Sequence, residues 1–223
     1  MRKIVFILLS FFVTNLVAQR DSLPLGSKYK EDQLYVSVLY NQLYQQPKGV
    51  SSSGFSYGFN LGFFKDIPLN QKGNWALGLG LGYSIDSFNH GMQVTSDNGV
   101  DGFSIDNILD ENLMRIQSIE LPLEIRWRNS NAQKYKFWRV YPGIKFSYNT
   151  SNKFRSLSNG IVTSVSNISS FNRFQYGITL AAGYDAFNLK VYYSLTPLFN
   201  DAYLGGQSIE TRILRVGLVV YIL

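Results

Sequence analysis

From Gln33 onward the chain alternates between apolar and small or polar residues, and this period of two decides what it can fold into. In Gly54–Lys65 one face carries Phe55, Tyr57, Phe59, Leu61 and Phe63, and the other carries Gly54, Ser56, Gly58, Asn60 and Gly62. Trp75–Asp86 sets Trp75, Leu77, Leu79, Leu81, Tyr83 and Ile85 against Ala76, Gly78, Gly80, Gly82, Ser84 and Asp86. Ser118–Arg128 sets Ile119, Leu121, Leu123, Ile125 and Trp127 against Ser118, Glu120, Pro122, Glu124, Arg126 and Arg128. Gln33–Leu43, Phe137–Asn149, Asn172–Asp185, Leu189–Leu198 and Arg212–Leu223 follow the same rule less strictly. The pattern predicts eight strands of about 10–14 residues, longer than the five or six of an average soluble strand and long enough to cross a bilayer.

The composition decides which face meets lipid. Charged residues are 16% of the chain and aromatic residues 15%. An apolar-inside barrel would offer water an outer face of glycine, serine and scattered charge, too few charges for a soluble protein of this size. The reverse arrangement fits: apolar residues outward, polar residues and glycine inward. The expected fold is therefore all-β, an eight-stranded antiparallel up-and-down transmembrane β-barrel over residues 33–223.

The connections agree. Those near Asp66–Asn74, Asn129–Tyr135 and Asp185–Asn188 are short. Those near Tyr44–Ser53, Phe88–Leu113, Thr150–Phe171 and Phe199–Glu210 are long. Short periplasmic turns and long outer loops predict both termini in the periplasm. Phe103–Leu113 is expected to form a short helical turn or a hairpin extension. Trp75, Trp127, Trp138, Phe63 and Tyr184 share outward parity at the expected periplasmic rim, as an aromatic girdle would. Tyr40, Phe55, Tyr83, Tyr148 and Phe174 would form the outer one.

Ahead of the barrel, Met1–Ala18 reads as a secretory signal peptide: Arg2 and Lys3, an apolar stretch, then Ala18 at the cleavage position. The other reading, a single membrane anchor, is disfavoured by its short apolar length. Removal would lower the formal charge from +6 to +4, since Arg2 and Lys3 leave. Residues 19–32, with Pro24 and Gly26, read as a flexible periplasmic lead-in. A small net charge without a basic cluster argues against nucleic acid as a partner. Cysteine is absent and there is one histidine, which excludes disulfides and multi-histidine metal centres. Neither a metal nor a cofactor is expected.

Eight strands enclose a lumen just wide enough for side chains. Glu120, Glu124, Arg126, Tyr141, Arg139, Lys145, Arg173 and Arg215 have inward parity and are expected to cross it toward the glycine-lined wall. Glu120 and Glu124 should pair with basic neighbours, since an unpaired buried charge is costly. A proton or ion relay is the functional alternative to structural filling. His90 lies near Ser84, Asp86 and Ser87, so a serine–histidine–acid set is conceivable, but nothing in the spacing requires one. The glycines at 78, 80 and 82 alternate with leucines and precede no helix, so they are not a dinucleotide fingerprint.

Ile119-Glu120-Leu121-Pro122-Leu123-Glu124-Ile125-Arg126-Trp127 resembles a characteristic strand of the PorT-like outer-membrane β-barrel family of Bacteroidetes. Tyr141-Pro142-Gly143-Ile144-Lys145-Phe146-Ser147-Tyr148 is similar to that family's next strand, and Gln175–Tyr184 to its sixth. The resemblance implies an eight-stranded barrel in the outer membrane, some of whose relatives support type IX secretion and gliding. The chain departs from many barrels in ending at Leu223 rather than phenylalanine, with Tyr221 the nearest aromatic residue. The expectation is a non-enzymatic structural or accessory subunit of an envelope complex, in secretion or uptake, with outer-membrane lipid and larger envelope proteins as partners. A lipid-modifying enzyme and a narrow channel are the alternatives.

Overall fold

The computed structural model describes residues 31–50, 54–105, 111–129, 138–158 and 160–222. The signal-peptide reading of residues 1–18 falls outside them, as do residues 19–30 of the lead-in.

Eight long strands form the wall: β1 (Gln33–Tyr44), β2 (Tyr57–Pro68), β3 (Trp75–Asn89), β6 (Glu111–Arg128), β7 (Trp138–Ser158), β9 (Phe174–Tyr184), β10 (Phe187–Ser194) and β13 (Arg212–Ile222). Short pairs decorate one end: β4 (Met92–Asp97) with β5 (Val100–Ile105), β8 (Ile161–Ser166) on β7, and β11 (Tyr203–Leu204) with β12 (Gln207–Ser208). Each long strand pairs antiparallel with its neighbour in sequence order. The pairing of β1 with β13 closes the cylinder, from Leu34↔Ile222 to Tyr44↔Arg212. Closure leaves no unpaired strand edge along the wall, which is what a hydrocarbon environment demands of a sheet. The described residues contain no helix.

The faces are those expected of a membrane barrel. Leu61, Leu81, Ile125, Ile178 and Leu218 point outward and are 51%, 62%, 51%, 51% and 57% exposed. Asn60, Ser84, Glu120 and Arg126 point inward and are fully buried. The glycines of β2 and β3 leave room for long side chains of β1, β2 and β6. A Cβ on Gly78 would lie 2.5 Å from Arg126 Nε, and one on Gly80 would lie 2.6 Å from Pro122 and 2.8 Å from Phe64. A Cβ on Gly62 or Gly82 would collide with the Tyr35 hydroxyl.

The long-loop end is more structured than expected. β6 and β7 run for 18 and 21 residues. At about 3.4 Å per residue they far outreach an apolar band roughly 25 Å tall. Phe103–Ile105 belong to the β4–β5 hairpin, so of the two expectations for Phe103–Leu113 the hairpin extension holds there and at the start of β6. Residues 106–110 lie outside the described residues. The reason for the added structure is a second apolar core. Phe88, Met92, Met114, Ile116, Phe154, Ile168, Phe171, Leu198, Phe199 and Ile213 pack together above the lumen. At the other end the β2–β3 and β9–β10 turns are tight, with Asp185 in the left-handed region at φ 56°.

The lead-in differs from its expectation at its C-terminal end: Glu31 is buried and bonded into the lumen, because its carboxylate offsets cations there. Tyr221 faces inward and is buried, so it is no outer-surface aromatic.

Gly82→Ala is expected to destabilise the barrel by about 1–3 kcal/mol through overpacking against Tyr35. The Tyr35 hydroxyl has no hydrogen-bond partner among the described residues, so Tyr35→Phe in the same chain should restore most of the loss. Urea unfolding followed by the gel mobility of unheated samples reads both effects.

Candidate functional site: the lumen network and the loop cap

Among the described residues, the lumen holds five buried carboxylates, Glu31, Asp66, Asp86, Glu120 and Glu124, and six buried cations, Arg126, Arg128, Arg139, Lys145, Lys190 and Arg215. They form two layers. Towards the loops, Glu120 of β6 accepts from Lys145 Nζ of β7 at 2.6 Å and from Asn60 Nδ2 of β2 at 2.7 Å. Arg215 of β13 reaches Glu120 at 3.6 Å and donates to Asp86 of β3 at 2.8 Å, where Asn41 of β1 also donates at 2.9 Å. Six of the eight wall strands, β1, β2, β3, β6, β7 and β13, are thus tied together through two carboxylates.

Towards the turns, Arg126 spans Glu124 at 3.2 Å and Asp66 at 3.3 Å. Arg128 binds Asp66 at 2.7 Å and Glu31 at 3.3 Å, and its Nε donates to the Gly73 carbonyl at 2.7 Å. Arg139 meets Glu31 at 3.3 Å and also donates to the Asp185 carbonyl. Rings of Tyr35, Phe64, Tyr141 and Tyr221 cluster beside these layers. Arg126 lies 4.2 Å from the Phe64 centroid and 4.9 Å from that of Tyr141. Lys145 lies 4.2 Å from the Tyr192 centroid, and Lys190 lies 5.0 Å from that of Tyr35. Cations over ring faces are attracted by the ring quadrupole, which offsets part of their desolvation.

Of the lumen residues expected from sequence, Glu120, Glu124, Arg126, Tyr141, Arg139, Lys145 and Arg215 lie in this network. Arg173 does not. It is exposed, one residue before β9 begins. The alternation fails there because Asn172 turns the chain: its side chain accepts from Phe174 N at 3.2 Å and donates to the Pro197 carbonyl. Glu31, Asp66, Asp86, Arg128 and Lys190 went unselected, though the last three had inward parity that could have found them. Nothing in a polar lead-in signals Glu31.

The rim rings face outward: Trp75, Trp138, Phe63 and Tyr184 are exposed and Trp127 is half-buried. Trp75 pairs directly with Trp127, and Trp138 with Tyr184 at 5.7 Å between centroids. Phe63 has Leu34 and Leu81 as its neighbours instead.

His90 sits in the loop cap, 4% exposed, its ring edge-on to Phe154 at 5.8 Å. Its Nδ1 accepts from Met92 N at 3.4 Å, and none of its hydrogen bonds goes to Ser84, Asp86 or Ser87. The nucleophilic set considered from sequence is not assembled.

Replacing Glu120 by Ala strands Lys145 in the bore and leaves Arg215 with Asp86 alone, and is expected to cost about 3–5 kcal/mol. The double variant Glu120→Leu/Lys145→Met should cost clearly less than the two single changes together, measured by urea unfolding in micelles. A second expectation concerns pH. Burial lowers the His90 pKa from 6.5 to about 4. The unfolded chain therefore binds the extra proton first, and stability present above pH 6.5 falls as pH drops toward 4, by on the order of 3 kcal/mol. Protease cleavage of the loops should accelerate across that window, and His90→Phe should flatten the response.

Residues 17–200 match the family described as outer membrane protein beta-barrel domain. No curated protein matches the chain. Among solved structures, it is similar to the crystal structure of Ail, the attachment invasion locus protein of Yersinia pestis, at 12% identity over 87% of this chain and 99% of that one, with a TM-score of 0.42. The same Yersinia pestis protein in complex with the heparin analogue sucrose octasulfate gives 13% identity over 86% and 97%, with a TM-score of 0.38. The closed eight-stranded wall, its apolar exterior and the match over most of its length lead to one statement: the chain belongs to the outer membrane protein beta-barrel domain family.

Proposed function

We propose that this outer-membrane barrel is a non-enzymatic structural or accessory subunit of an envelope complex, in the manner of the PorT-like proteins its strands resemble, acting in secretion or uptake with its termini in the periplasm. The observation that carries the reading is the filled bore. The largest fully buried side chains include Arg126, Arg128, Tyr35, Tyr141, Tyr192, Lys145 and Lys190, all directed into the lumen. A lumen occupied in this way is poorly suited to conduction, which weighs against the channel alternative. His90, buried against Phe154 and hydrogen-bonded to neither Ser84 nor Asp86, weighs against the enzyme alternative. What the scaffold offers outside the membrane is a loop platform made rigid by its own apolar core, the kind of surface on which recognition resides.

Gentle detergent extraction of the tagged full chain, followed by mass spectrometry of companions, tests the reading. Recovery with larger envelope proteins, weakened when Phe103 and Tyr203 of the loop hairpins are replaced by Ser, is the expected result. A free monomer under the same extraction would overturn it.

A further inference from the structure

The bulge between β6 and β7 creates a feature that the lumen and the loop cap do not account for. Ser118 pairs with Asn149, but Gln117 pairs with Ser151, so Thr150 is the extra residue. The bulge is well satisfied: the Asn149 Nδ2 and Thr150 hydroxyl groups both donate to the Gln117 carbonyl, at 3.0 and 3.1 Å. An added residue reverses side-chain parity along the strand. Below it the even-numbered Ile144 and Tyr148 face outward. Above it Lys153 and Arg155 do, while Phe154 turns inward to the cap.

The result is a basic groove on the outer wall. Arg115 is the Cα partner of Lys153, and Leu113 that of Arg155. These four residues line a concavity of about 320 Å³. Arg115 and Lys153 have no carboxylate partner among the described residues. The groove faces sideways, not upward. Gln117, one outward position below Arg115, pairs with Ile85, which still belongs to the apolar belt. One such step on a tilted strand raises a residue by about 5 Å. Along β6, Arg115 lies twelve residues from Trp127 at the turn-end rim, a rise of about 30 Å on a tilted strand, just past an apolar band roughly 25 Å tall. That is the depth of the lipid headgroup layer. Adjacent cations there repel each other unless an anion lies between them, and headgroup phosphates are the anions at that depth.

We propose that this groove seats the phosphorylated headgroup of a lipid in the leaflet at the loop end, with Arg115 and Lys153 sharing its phosphate and Leu113 lying against its carbon skeleton. The assignment rests on the orientation proposed above only for which leaflet is involved; it does not depend on the accessory role.

Titration of the purified full chain in neutral micelles with diphosphoryl lipid A, read by native mass spectrometry, tests it. Wild type should retain the lipid, and added salt should weaken retention. Arg115→Gln/Lys153→Gln should bind roughly thirtyfold more weakly, at about one kcal/mol per surface cation. Lys72→Gln, an exposed cation in the opposite turn, should bind as wild type does. Binding unchanged in the double variant, equal binding of the dephosphorylated lipid, or displacement by equimolar inorganic phosphate would each overturn the proposal. The last two are measured on wild-type protein, so they decide the matter even if the double variant folds poorly. Surface proteolysis of the loops on intact cells reports the orientation separately, and a failure to recover partner proteins leaves the lipid result standing.

Discussion

The structure turns on a single electrostatic requirement: charge placed inside a narrow cylinder must be neutralised from across the bore. Glu120 meets it with ligands from three other strands, Asn60, Lys145 and Arg215. Asp86 extends the same set to Asn41. These contacts join residues far apart in sequence, Asn41 with Asp86 and Asp86 with Arg215, and they fix which faces of the cylinder oppose each other. Backbone pairing alone would close a barrel but would not choose its contents. Breaking one partner is far more costly than never having had the pair, so the network acts less as a source of net stability than as a constraint on arrangement.

That constraint explains the glycines. Arg126, Tyr35 and Phe64 are long, and they extend toward β2 and β3, where a Cβ at Gly78, Gly62, Gly82 or Gly80 would occupy their space. The glycines supply room beside the bulk, even on β2 and β3, which also carry Phe64, Asp66 and Asp86. The small residues that give β3 its clean alternation follow from the size of the side chains on the adjoining strands β2 and β6 and of Tyr35 on β1.

Much of this was legible in the sequence because period two is set by backbone geometry and survives wherever a strand is regular. Strand order, orientation of faces and most of the lumen charges follow from it. Its failures sit where regularity breaks. Alternation counted back from Gln175 places Arg173 inward, but the turn at Asn172 cancels the parity. Lys153 and Arg155 lay in what read as a loop, and only the extra residue at Thr150 turns them outward. Glu31 was missed because its burial comes from tertiary neighbours, Arg128 and Arg139, rather than from any local pattern. The loop cap escapes a local reading for a related reason: Met92, Phe154, Phe199 and Ile209 are scattered among polar residues and become a core only once β4, the upper part of β7 and the β10–β13 connection meet.

A filled bore also moves the question of function to the outside. With the lumen cations paired or laid over rings, the charges left to act on other molecules are those on the outer wall and in the loops. There the bulge does two things with one inserted residue. It sends Phe154 into the cap, tying the loops to the barrel, and it sends Lys153 toward the membrane surface beside Arg115. Rigidity above the membrane and a cationic face at its edge therefore arise from the same local irregularity. A change that removed Thr150 would restore the alternation of β7 at the cost of both.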